Sequence, residues 1–139
     1  MIEILIVVAV FGLVSAIAVP QVNSTIRQRR VIAAASAAAS DVESAFSLAA
    51  RQRRPLRVTY HSASGEIRIA DRATGTVYRR RPLRMTGEYH LDAVSLAPGS
   101  VDVFPSGMSS APFSISLTNG SFQRQILVTR TGLTRVIKP

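Results

Sequence analysis

Ile2-Glu3-Ile4-Leu5-Ile6-Val7-Val8-Ala9-Val10-Phe11-Gly12-Leu13-Val14-Ser15-Ala16-Ile17-Ala18-Val19-Pro20 decides the architecture. From Ile2 to Val19 the only charge is Glu3 and the only other polar side chain is Ser15. As a helix this run is ~27 Å long, just enough to span the hydrocarbon core of a bilayer. A cleaved secretory signal is the rival reading. It wants basic residues ahead of a shorter apolar run and a small-x-small site behind it, and no basic residue precedes this run. Glu3 is costly at the start of a spanning helix unless it is neutralised, partnered or held at the interface. By itself it also suits the positive end of the helix dipole among headgroups.

The order of acid, apolar run and proline resembles the N-terminus of type IV pilins, whose usual start is Gly-Phe-Thr-Leu-Ile-Glu. The resemblance implies that Glu3 meets the N-terminal ammonium of a neighbouring subunit, two charges cancelling inside an apolar filament core. It implies that Pro20 interrupts the helix where it leaves the membrane, through a lost amide donor and a clash with the preceding turn. A kink or melted turn between Ala16 and Pro20 is therefore expected. Met1 stands where the family has leucine, so a basic leader and its peptidase site are expected upstream. Such a leader would also set the topology, because Arg27, Arg29 and Arg30 alone would draw their side of the membrane to the cytoplasm.

From Gln21 the helical period continues, with Ile26, Val31, Ala35, Ala38, Val42, Ala45, Phe46 and Ala49 on one face. Arg51, Arg53 and Arg54 followed by Pro55 end it. Asp41 and Glu43 are read as offsetting nearby arginines on the helix surface. Beyond Pro55 the period falls to two, with strands expected at 56–60, 66–70, 76–80, 100–104, 113–118, 122–129 and 133–137. Ser64-Gly65, Thr74-Gly75, Asn119-Gly120 and Thr131-Gly132 supply turns. The expected fold is α+β: a spanning segment at 1–20, an amphipathic continuation at 21–54, and at 55–139 an antiparallel sheet or pair of sheets packed on the second half of the helix.

Phe104-Pro105-Ser106-Gly107, Ser114-Ile115-Ser116-Leu117 and Ile126-Leu127-Val128-Thr129-Arg130-Thr131-Gly132, following a long helix, resemble the GspH/FimT type of pilin-like protein. Pro20 and Leu48-Ala49-Ala50-Arg51 lean toward the FimT-like branch, and the type II secretion branch stays open. The resemblance implies a minor pilin or pseudopilin, held in the bacterial inner membrane with a periplasmic head before it joins other pilins through its first helix.

The chain of 139 residues contains no cysteine, which excludes disulfides and thiol chemistry. Its histidines, His61 and His90, have no ligand-spaced partner. No phosphate loop, nucleophile elbow or clustered carboxylate pair is present, so neither catalysis nor a cofactor is expected. The net charge of +9 is almost wholly arginine, Lys138 being the one lysine. Arginine suits bidentate contact with phosphate or carboxylate, while a coding sequence rich in G and C inflates arginine and alanine together. The arginines form four groups: Arg27/Arg29/Arg30, Arg51/Arg53/Arg54/Arg57, Arg79/Arg80/Arg81/Arg84, and Arg124/Arg130/Arg135 with Lys138. Any of these can be a solvated face. Some FimT-like relatives take up DNA through a basic C-terminal segment, and the last group stands where that resemblance would place it. A DNA-binding subunit and a membrane-tethered head that never polymerises are thus the alternatives to a filament subunit.

Overall fold

The computed structural model describes residues 2–84 and 87–139, with backbone alone at 18 and 19. One helix, α1 (Ile2–Gln52), precedes β1 (Leu56–His61), β2 (Glu66–Asp71), β3 (Val77–Pro82), β4 (Ala93–Ala97), β5 (Ser100–Val103), β6 (Phe113–Asn119), β7 (Phe122–Val128) and β8 (Thr134–Ile137). At 1.5 Å per residue the helix is ~76 Å long.

Helical backbone runs unbroken through Pro20, so the melted turn expected at 16–20 does not form. Proline removes one amide donor and crowds the turn before it. Long helix-forming stretches on both sides outweigh that local cost. Just beyond it, the Ser24 and Thr25 hydroxyls donate to the Gln21 carbonyl at 2.8 and 3.0 Å.

The strands make two four-stranded sheets, ordered β3-β2-β1-β5 and β4-β6-β7-β8, and every pairing is antiparallel. Each sheet turns an alternating apolar face inward. Val58, Ile67, Ile69 and Val101 come from the first, and Phe113, Ile115, Leu117 and Ile126 from the second. The helix packs chiefly on β6, β7 and β8 and touches β1 and β5. Its buried face is Val31, Ala34, Ala35, Ala38, Ala39, Val42, Ala45 and Ala49. Small side chains there let both sheets come close to the helix backbone, so much of the alanine has a packing role whatever its coding origin. Ile26 was expected on this face but is 41% exposed, because it lies with Gln21, Val22, Thr25 and Arg29 on a side of the helix turned away from the head.

Strand β4 was not foreseen. It carries only two core-facing apolar side chains, Val94 and Leu96, between alanines and a serine of weak strand preference. Pairing with β6 makes it a strand.

The helix ends as its sequence suggested, with a left-handed twist. Arg53 has φ of 52°, and the Arg54 amide donates back to the Ala49 carbonyl at 3.4 Å, the pattern that closes many helices on a glycine. Arginine pays a steric penalty there that glycine avoids. Replacing Arg53→Gly is expected to stabilise the head by ~0.5–1 kcal/mol, seen as a rise of a few degrees in its thermal midpoint. A fall would show that the Arg53 side chain holds something in place.

Candidate functional site

Eleven large apolar side chains between Ile2 and Ile17 are exposed, with Ile2 at 73% and Phe11 at 69%. An 18-residue window of this segment has a mean hydropathy of 2.8 and no buried residue. Burying one such side chain is worth ~1.5–3 kcal/mol, and this half of the rod is long and apolar enough to anchor in a membrane. Glu3 lies in its first turn. Pro20 lies ~25 Å further along the axis, so the two predicted assembly residues mark opposite ends of the apolar segment.

Where that segment stops, the head begins. The tip of the β6–β7 hairpin reaches down the helix, and Pro20, Asn23, Ser24, Arg27, Ser121 and Phe122 line one groove. The tip is pinned: the Gly120 amide donates to Asp92 Oδ2 at 2.6 Å and Asn119 Nδ2 to the His90 carbonyl at 3.0 Å. Gly120 turns the chain at φ of 60°, and a Cβ there would sit 3.1 Å from an Arg27 guanidinium nitrogen. One turn higher, a cleft of ≈ 160 Å³ is walled by Val31, Ile32, Phe122, Arg124 and Lys138, among others.

The four predicted DNA-contacting residues are divided by strand geometry. Arg124 pairs in register with the buried Leu117, and Leu127 with Arg135. Side chains alternate along a strand, so Arg124 shares the helix-facing side of the sheet with Lys138, while Arg135 occupies the outer face. Arg130 is ~20 Å along the strand from Arg124, and its carbonyl accepts from the Ser109 amide at 2.7 Å. Arg124 and Lys138 are therefore brought together, and Arg130 and Arg135 are not part of their cleft. The role of Arg27 and the hairpin tip was missed from sequence; the Asn119-Gly120 turn marked the hairpin but not what it touches.

Asp41 corrects a second expectation. It is 2% exposed rather than on the helix surface, and it faces strand β3. Arg81 donates through Nε at 2.6 Å and Nη2 at 2.9 Å, and Arg79 Nη1 lies 2.8 Å away. One acid thus joins the helix to an edge strand some forty residues later. No group of three or more histidines or acids that could hold a metal ion occurs among the described residues.

The carboxylates of Asp71, Asp102 and Glu66 are held below their ordinary range. Asp71 accepts from the Thr74 and Ala73 amides at 3.0 and 2.7 Å, and Arg54 stands 3.7 Å away. Asp102 is lowered by the hydrogen bond from Arg57 at 2.7 Å, with Arg72 adding its charge, and Glu66 by the hydrogen bond from Arg68. A depressed folded-state pKa stabilises the fold fully above the unfolded value and loses that contribution as pH falls through the folded one. The urea midpoint of the head is expected to be level above about pH 5 and to drop below about pH 4. A midpoint unchanged at pH 3 would contradict these contacts.

A family model described as Type II transport protein GspH matches residues 34–132. No curated protein matches the sequence significantly. Among solved structures, the chain is similar to the type IV minor pilin FimU of Pseudomonas aeruginosa in two crystal forms. The TM-scores are 0.59 and 0.62 at 14% and 15% identity, covering 76% and 78% of this chain and 90% and 89% of FimU. It is similar also to the minor pseudopilin EpsH from the type 2 secretion system of Vibrio cholerae. There the TM-score is 0.58 at 14% identity, covering 79% of this chain and 98% of EpsH. At these identities the likeness establishes the fold: a long N-terminal helix packed on an antiparallel β head.

Proposed function

Because the chain belongs to the GspH family of pilin-like proteins, we propose that it is a minor structural subunit of a type IV pilus or type II secretion filament. It has binding surfaces in place of an active site. The carrying observation is that the first eighteen helical residues lie outside the fold on the same rod whose second half anchors the head. In the membrane, lipid covers that apolar surface; in a filament, equivalent helices of neighbouring pilins cover it. Glu3 is the charge that must be cancelled on leaving lipid, and pairing with a neighbour's terminal ammonium would set the axial register. Pro20 marks where the rod emerges and the head begins.

The test is whether the protein co-fractionates with sheared filaments and whether Glu3 is required. A head that stays tethered and never polymerises would be absent from filaments although present at normal level in the membrane. The DNA-receptor reading draws on Arg124, Arg130, Arg135 and Lys138. Since only Arg124 and Lys138 converge, and on the helix side of the sheet, the filament role is the better supported.

A further inference from the structure

We propose that Arg27, Arg29, Arg30, Arg124 and Lys138 form a basic collar that binds the phosphate groups of anionic lipids in the leaflet from which the helix emerges. The proposal rests on the reading of 2–19 as the membrane segment and goes beyond it, since an apolar rod inserts without any lipid preference.

Position is the first argument. If the bilayer core ends at Val19, Arg27 lies ~12 Å above it along the axis. Helix side chains lean toward the N-terminus, here toward the membrane. An arginine stem can lie along apolar surface and carry its guanidinium several ångströms back. The headgroup layer is roughly 5–8 Å thick on each side, so Arg27 reaches it from an upright helix, and the tilt of about 20° usual for a spanning helix brings Arg124 and Lys138, on the head side, down toward it. The head cannot stand clear, because Ser121 and Phe122 share a groove with Pro20.

Charge is the second. No acidic residue lies between Glu3 and Asp41, and none of the five collar cations is in an ion pair among the described residues. Asp92, near Arg27 through the hairpin tip, already accepts the Gly120 amide. Higher in the head, by contrast, Arg54, Arg57, Arg68, Arg72, Arg79 and Arg81 all face carboxylates.

Shape is the third. The cleft beneath Arg124 and Lys138 has Val31, Ile32 and Phe122 as apolar walls. Two cations over an apolar floor suit a phosphate attached to an acyl chain better than they suit a duplex, which needs a broad outward surface.

The test uses the full chain reconstituted in phosphatidylcholine vesicles containing trace spin-labelled phosphatidylglycerol or spin-labelled phosphatidylcholine. The fraction of each probe immobilised by the protein is read by electron spin resonance. The wild type is expected to prefer phosphatidylglycerol about threefold. That preference should disappear in the variant Arg27→Gln/Arg124→Gln/Lys138→Gln. It should shrink in the unaltered protein at about 0.5 M salt, a comparison independent of any folding defect. Equal immobilisation of both lipids by the wild type would overturn the collar and leave the membrane segment standing. Immobilisation of neither would overturn the membrane reading and the collar with it. Retardation of duplex DNA that is lost in the triple variant, together with no lipid preference, would make the patch a nucleic-acid surface and overturn the proposal.

Discussion

Replacing Glu3→Ala is expected to remove the protein from sheared filaments while leaving its head folded. Glu3 is the lone charge on an apolar rod of eighteen residues, and bundling such rods takes its carboxylate out of water. An ionised acid in that setting persists only with a close cation, and the resemblance to type IV pilins points to a neighbour's terminal ammonium. Removing one member of a buried pair costs ~3 kcal/mol because the other is left uncompensated, which is on the order of a hundredfold in incorporation. The head is insulated from the change: Val31, the first buried residue of the helix among the described side chains, lies ~42 Å along the axis. The measurement is the ratio of protein in sheared filaments to protein in membranes, with the thermal midpoint of the head recorded in parallel. Normal incorporation of a folded variant would end the proposed role of Glu3.

The second large effect is expected from Asp41→Ala. The carboxylate is 2% exposed and receives two guanidinium groups, Arg81 in a two-point contact and Arg79 through Nη1. Without it, a partly buried Arg81 loses its counter-charge and edge strand β3 loses its tie to the helix. Breaking a buried pair costs ~3–5 kcal/mol; because Arg79 and Arg81 keep contact with solvent, ~2–3 kcal/mol is the fitting figure. For a domain of this size that lowers the thermal midpoint by about 10 °C. Arg81→Ala on top of Asp41→Ala should then cost far less than it does alone, since the pair is already broken. Additive effects would show that the three side chains act separately.

Lysine and arginine counts are poor guides to such contacts. Asp41 sits in an alanine-rich helix that looked solvent-facing at that position, and its partners lie in a run, Arg79-Arg80-Arg81, that reads as an exposed basic strand. Alternation along β3 sends Arg79 and Arg81 inward with Ile69 and Ile67 and leaves Arg80 beside Arg68 on the outer face. Which parity faces the helix is decided by pairing with β2, not by anything in the run itself. The same rule separates Arg135 from Arg124 and Lys138, two cations far apart in sequence that strand pairing brings to one cleft.

What the sequence by itself determined is most of what near neighbours along the chain govern, the melted turn expected before Pro20 being the exception. The apolar run fixed an exposed rod of membrane-spanning length, the change of period after Pro55 announced strands, and glycines at 65, 75, 120 and 132 marked turns that all take positive φ. Tertiary structure alone decided the division into two sheets, the recruitment of Ala93–Ala97 as a strand, the burial of Asp41, and the descent of the β6–β7 tip onto Pro20. Periodicity and turn preference act over a few residues, so they are written locally. Register, sheet order and the pairing of distant charges depend on which faces meet once the chain has closed on itself, and no single stretch carries that information.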